Sequence, residues 1–340
     1  MKENHHRTLF ELGGRWHYRL RSILTLYWSV LYISVRRWLQ GPRLPNWNWA
    51  LETSMHFLKT QTTIAFDMPS MADGREYEDA LVFSSPAFDK VVIEPVDQPV
   101  KGHWYQPKSE VRHVTVLYLH GGGYAYYSKA HQNMIALVTL AVKSHTFALD
   151  YRLTPEFPFP AQLEDALAAY RWLLETGVMP ERLVVIGDSA GGNLVMALLL
   201  ALRDARIPLP ALGICLSPWT DVSNSGASMT TNASYDWVEE RMAVQWAGWF
   251  CQDANATDPL ISPIHANLRD LPPIYLQAGS AEILYDMIRS FADCAEKQGA
   301  HVRLDVWSNM PHDFQAFGSL TSESQEALRR IGEVAQEYVA

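Results

Sequence analysis

The stretch Gly187-Asp188-Ser189-Ala190-Gly191-Gly192 constrains this chain more than any other. Ahead of it, Arg182-Leu183-Val184-Val185-Ile186 is a short β-branched and apolar run that reads as a buried strand. Behind it, Asn193 to Arg203 is rich in Leu and Ala with no breaker, which reads as a helix. A strand that turns into a helix through Gly-x-Ser-x-Gly leaves no room for side chains at Gly187 and Gly191. The turn pushes Ser189 out at the strand tip, with neighbouring backbone N–H groups facing whatever the hydroxyl attacks. A plain Gly-Ser loop would not need a strand and a helix on its two sides, and both are present.

The 340 residues are 48% hydrophobic and 19% charged, an ordinary soluble globular composition with ample core for one large α/β domain or two domains. A formal net charge of −9 argues against nucleic acid as a partner. Cys215, Cys251 and Cys294 are too few and too scattered for a disulfide framework. They suit a reducing interior, and the expected location is cytoplasmic.

Residues 1–19 are polar and partly basic, and His5 and His6 read as part of a solvated tail rather than a metal site. Ser22 to Val35 is apolar and aromatic, between Arg19 and Arg21 on one side and Arg36 and Arg37 on the other. Its 14 residues fall short of the ~20 that a spanning helix needs, and Arg36-Arg37-Trp38 is no signal-peptide cleavage site. The segment reads as a helix packed over the mouth of a site. The sharper alternative is an interfacial helix dipping into a membrane surface, and a homodimer is a separate expectation. Gly41-Pro42 and Pro45 end it, and Trp49 to Thr60 reads as a second cap helix.

Val91 to Pro95 reads as an early strand, antiparallel at a sheet edge, and Val114 to Leu119 as a central strand buried on both faces. His120-Gly121-Gly122-Gly123 follows at once. Glycines there let the backbone approach a ligand and aim N–H groups at a developing oxyanion. The N–H groups of Gly122, Gly123 and Ala190 are the expected donors. His120 precedes the turn serine and reads as a brace for its own loop. Tyr124, Tyr126 and Tyr127 are candidate pocket walls, some of them core. Arg152 and Glu156 are spaced for an ion pair near the serine, and Asp188 reads as a brace, since a carboxylate adjacent to Ser189 points the wrong way to orient a base.

His120-Gly121-Gly122-Gly123, Tyr151-Arg152-Leu153-Thr154-Pro155-Glu156 and Gly187 to Gly192, in this order, resemble the hormone-sensitive lipase family of α/β-hydrolase esterases, bacterial family IV. The resemblance runs from about Val91 onward and implies a mostly parallel sheet flanked by helices, with a helical cap. The order in that fold is serine, acid, histidine. Of the histidines after Ser189, His301 lies in an alternating strand and His265 in a probable link, whereas His312 follows a strand on a loop. His312 is therefore the expected base, and the family resemblance agrees. Many relatives place the acid in patterns such as DPLRD. Aligning Leu284 and Asp286 with that pattern puts Glu282 at the acid, with Asp286 at the start of the next helix and Asp313 a third candidate.

Ser217-Pro218-Trp219-Thr220-Asp221 is similar to a further family motif, with Asp221 as a loop brace and Trp219 as a candidate pocket residue. The expected division is a cap-forming region over 1–75 and a catalytic domain over 76–340 with a cap insertion at about 218–268. Trp219, Trp237, Trp246 and Trp249 make that insertion apolar, each taken singly as glue between cap and body. The implied activity is a serine carboxylesterase acting on short- to medium-chain acyl esters, with no metal or organic cofactor. The alternatives are a membrane-associated deacetylase or lipid-ester hydrolase, resembling the arylacetamide deacetylase branch, and a catalytically silent receptor such as the related gibberellin receptors.

Overall fold

The computed structural model describes residues 10–83 and 85–339, so His5 and His6 lie outside the described residues. In chain order the strands are β1 (Phe10–Glu11), β2 (Val82–Phe83), β3 (Val91–Val96), β4 (Gly102–Pro107), β5 (Thr115–Leu119), β6 (His145–Leu149), β7 (Leu183–Asp188), β8 (Leu212–Leu216), β9 (Ile274–Gly279) and β10 (Val302–Trp307). The helices are α1 (Trp16–Gln40), α2 (Trp49–Phe66), α3 (Met71–Glu78), α4 (Lys129–Val142), α5 (Ala161–Glu175), α6 (Ala190–Asp204), α7 (Ser228–Thr231), α8 (Glu240–Cys251), α9 (Tyr285–Gln298) and α10 (Ser322–Tyr338).

Strands β3 to β10 make one sheet in the order β10-β9-β8-β7-β5-β6-β4-β3. It is parallel from β10 to β6, and the β6–β4 and β4–β3 pairs are antiparallel. Alternate side chains feed two cores. Val116, Tyr118, Val184 and Ile186 pack toward α4 and α10, while Leu117, Leu119, Leu183 and Val185 pack toward α5, α6 and α9. Burial on both faces is why these strands read as continuous apolar runs. The strand order reverses at β5 and β7, where Leu119 lies beside Gly187. In open α/β sheets ligands bind at such a switch point, beyond the carboxyl ends of the strands. The glycine loop after β5 and the serine turn after β7 are thereby brought together.

The N-terminal helices differ from the expected arrangement in one respect. The apolar segment 22–35 sits inside the longer α1, which lies behind α2 rather than over the site mouth. Its inward positions answer polar groups of α2: Ser22 Oγ donates to Gln61 Oε1 at 3.1 Å, Ser29 Oγ lies 2.8 Å from His56 Nδ1, and Arg36 and Arg37 both pair with the buried Glu52. Helix α2 has the opposite side left for the site. Among the described residues no helix is long and apolar enough to cross a membrane. The expected Arg152–Glu156 pair does not form. Arg152 pairs with Glu164 and Asp165, one helical turn into α5, and Glu156 pairs with Arg75 of α3.

Candidate active site

Ser189 stands between β7 and α6 with φ 51° and ψ −118°. A non-glycine residue there is strained by about 1–3 kcal/mol and needs its surroundings to hold it. Backbone bonds do so: Ser189 N donates to Leu216 O at 2.8 Å and Trp219 N donates to Ser189 O at 3.0 Å. A Cβ on Gly191 would lie 2.0 Å from Leu119 O and 2.5 Å from His120 O, so only glycine lets α6 start this close to β5. Ala190 is the first residue of α6, and its N–H is one of the helix's initial donors without an acceptor inside the helix.

The loop after β5 is held from several sides. Tyr118 O–H donates to Asp188 Oδ1 at 2.7 Å and Gly121 N donates to Asp188 Oδ2 at 3.0 Å, so Asp188 ties loop to turn. The His120 ring lies between Tyr127 and Tyr151, with centroids 4.0 and 4.1 Å away, and its Nδ1 donates to Gly121 O at 2.8 Å. Burial keeps that imidazole well below its usual pKa, hence neutral. Gly122 and Gly123, at φ 90° and 59°, reach the wall of the cavity that also holds Ser189.

That cavity, of about 120 Å³, is lined by Ser189, His312 and Asp313 together with groups from the cap. His312 Nδ1 lies 3.0 Å from Glu282 Oε2, and Gly279 N donates to Glu282 Oε1 at 3.1 Å. Glu282 and His312 are buried, at 0% and 1% exposure. Asp313 Oδ2 lies 3.2 Å from His312 Nε2. Burial works against a charged imidazole, but Asp313, Glu282 and Asp236 outweigh it and raise His312 to about 10. Burial pushes Glu282 and, more strongly, Asp313 upward in turn. Asp286 is elsewhere, on the first turn of α9, accepting from Ser228 N at 2.8 Å. Asp221 accepts from Ser223 N and from the Ser223 and Ser225 hydroxyls, within its own loop.

Of the four aromatic residues expected as pocket walls, Tyr126 is on the cavity's lining and Tyr124, Tyr127 and Trp219 are not. Tyr124 is buried on Phe250 and donates to Asn193 Oδ1, Tyr127 stacks on His120, and Trp219 is spent on Asn224. Beside Tyr126 the lining comes from Trp237, Trp246 and, on α2, Leu58 and Thr62. Trp246 lies directly on the glycine loop, since a Cβ on Gly123 would fall 2.4 Å from its ring. Trp219 and Trp249 lie off the cavity, whereas Trp246 lines it and Trp237 both lines it and ties the insertion to the body by donating to His312 O at 2.9 Å. Asp236 was also not anticipated. It accepts from Ile283 N at 2.7 Å and from His312 N at 3.3 Å, fastening the cap insertion to the loops of Glu282 and His312. No periodicity or glycine marks it, because its partners are backbone groups 47 and 76 residues away.

Residues 116–316 match the model of a family described as having the alpha/beta hydrolase fold. An acetyl-hydrolase of Streptomyces hygroscopicus is 38% identical over 252 residues, covering 72% of this chain and 84% of that protein. An ethyl acetate hydrolase of Pseudomonas putida is 32% identical, covering 66% of this chain and 73% of that protein. The crystal structure of an esterase from the bacterial hormone-sensitive lipase family matches at a TM-score of 0.73 and 34% identity, over 96% of this chain and 100% of that one. A mutant of the esterase E40 matches at 0.77 and 38%, over 83% and 97%. The chain belongs to the bacterial hormone-sensitive lipase family of α/β-hydrolase esterases, serine hydrolases that cleave carboxylic esters.

Proposed function

We propose that Ser189 is the nucleophile, His312 the general base and Glu282 the acid, with the N–H groups of Gly122, Gly123 and Ala190 as the oxyanion hole. The single observation that carries this reading is that Ser189, the two loop glycines and a His312 held on Nδ1 by a buried carboxylate border one cavity. His312 takes the Ser189 proton as the oxygen attacks the ester carbonyl, and the oxyanion rests on the three N–H groups. His312 then protonates the leaving alcohol and activates water against the acyl-enzyme, while Glu282 stabilises the imidazolium. Asp188 and His120 brace the oxyanion loop. Residues 1–75 and the insertion at about 218–268 act together as the cap, since α2 and α8 both line the cavity. The substrates are short- to medium-chain acyl esters. The small cavity and the acetyl- and ethyl acetate-hydrolysing relatives support that range.

Two measurements test the reading. A fluorophosphonate adds its mass to the peptide carrying Ser189, and turnover of p-nitrophenyl esters peaks between acetate and octanoate. Labelling elsewhere, or activity confined to long chains, overturns it.

A second reading places the enzyme at an anionic lipid surface, and the outward face of α1 favours it. Trp16, Leu24, Tyr27, Trp28 and Leu39 are exposed there, and Trp38 is 84% exposed. From Leu12 to Leu51 the chain carries six Arg and no Asp or Glu; Arg15, Arg36 and Arg37 pair with Asp73, Glu76 and Glu52, which leaves the side chains of Arg19, Arg21 and Arg43 without a carboxylate partner among the described residues. Aromatic groups with arginines suit an interfacial helix. The protein then floats with vesicles of phosphatidylglycerol, and Trp16→Ser/Trp28→Ser/Trp38→Ser does not. A protein that stays unbound, or a homodimer that the same triple substitution splits, overturns this reading.

A further inference from the structure

The cavity at Ser189 does not stand alone. A second cavity of about 130 Å³ lies against it, and Leu58, Gln61, Glu78, Ala130, Ala316 and Phe317 border both. Four of these six residues are apolar. Gln61 is already satisfied, donating to Tyr77 O at 2.9 Å and accepting from Ser22 Oγ. Glu78, the last residue of α3, has no hydrogen-bond or ion-pair partner among the described residues. The other carboxyl groups near the site have partners, Asp188 in Tyr118 and Gly121, Asp236 in three backbone N–H groups, Glu282 in His312 and Asp313 in His312 through Oδ2 alone, its Oδ1 being buried and unpartnered. The nearby cation, Arg75, is taken by Glu156, Ala125 O and Thr154 O. The phenol of Tyr126, on the wall of the first cavity, is buried without a partner.

Glu78 is half-buried and borders both cavities, so its carboxyl, with no protein partner, is open to water and free to bond a ligand group that displaces that water at this junction. Burial beside Asp79 holds Glu78 at about 8, where a large share of the group is the neutral acid near pH 7 and can both donate and accept. A hydroxyl matches either form. An ammonium would require two charges to be desolvated together, which is the costlier pairing.

We propose that Glu78 is a specificity-determining residue that reads a hydroxyl group on the chain of the substrate where it passes from the first chamber into the second. The preferred esters are then hydroxyacyl esters long enough to reach the junction, rather than plain alkanoates of equal length. This rests on the esterase reading of Ser189 and refines its substrate class.

The experiment compares ethyl alkanoates with ethyl ω-hydroxyalkanoates of matched length, from four to eight carbons, by pH-stat. Active-site titration with diethyl p-nitrophenyl phosphate counts competent sites in each protein. In the wild type the ratio of kcat/KM, hydroxy over plain, exceeds one and peaks at one chain length. Glu78→Leu lowers that ratio about tenfold and raises kcat/KM on the plain ester, while the near-isosteric Glu78→Gln keeps most of the preference. A wild-type ratio at or below one at every length, or a Glu78→Leu enzyme that loses both substrates equally at full titration, overturns the proposal. A wild type inert on every ester would instead overturn the esterase reading beneath it.

Discussion

Ser189→Ala lowers kcat/KM on p-nitrophenyl butyrate by on the order of 10⁵–10⁶-fold, the loss expected when the nucleophile of a serine triad is removed. The fold survives the change. Ser189 is held at φ 51° by its own N–H and carbonyl, through Leu216 O and Trp219 N, and those bonds do not involve the hydroxyl. Alanine meets the same backbone strain as serine, so thermal unfolding stays within about 1 kcal/mol of the wild type. What disappears is the oxygen that forms the acyl-enzyme. The proposed oxyanion donors, the Gly122, Gly123 and Ala190 N–H groups, are left in place, so a residual rate above the uncatalysed reaction is expected. Adding His312→Ala to Ser189→Ala then costs almost nothing further, because groups that act as one unit are not additive. The measurement is steady-state kinetics of the two single variants and the double variant. A Ser189→Ala enzyme with a tenth of wild-type activity would move the nucleophile to another residue.

The parts of this site legible in the sequence are those that the backbone dictates locally. Gly187 and Gly191 have no space for a Cβ, so the turn leaves a glycine signature that any reader meets. The β5 loop follows the same logic, with Gly122 and Gly123 at positive φ. His312 and Glu282 were harder. Histidines and acids occur throughout the second half of the chain, and only strand order and a pattern shared with relatives separated Glu282 from Asp286. The cap was the least legible. Trp246, Trp237, Tyr126 and Leu58 come from three separate stretches of chain, and nothing periodic tells a tryptophan on the cavity from one that glues helices. Helix α1 misled for a related reason. Its apolar run suggested a helix packed over the site mouth, but its buried positions are Ser22 and Ser29 beside Tyr18 and Ile33, Arg36 and Arg37 pair with Glu52, and most of its large apolar side chains point outward.

Glu282→Gln is expected to lower kcat by about 10³–10⁴-fold, and Asp313→Asn by far less, although both carboxyls sit on the imidazole of His312. The difference follows from which nitrogen each one holds. Glu282 Oε1 accepts from Gly279 N, so in the glutamine variant the amide oxygen stays with Gly279 and the NH₂ faces His312 Nδ1. Nδ1 must then accept, the ring proton moves to Nε2, and the nitrogen needed for the Ser189 proton is blocked. Asp313 instead lies on Nε2, where an asparagine leaves Nδ1 and Glu282 untouched. Both substitutions remove a group that raises His312, so both shift its pKa downward. The base works only when neutral, and kcat/KM falls as pH drops through that pKa. The acid limb of the pH profile therefore moves to lower pH in both variants, while only Glu282→Gln also loses the plateau. Profiles of kcat/KM and kcat from pH 6 to about 11.5, which span the raised pKa of His312, separate the two. Should Glu282→Gln keep its plateau while Asp313→Asn or Asp286→Asn loses it, the acid role passes to that residue and Glu282 becomes a brace for the loop after β9.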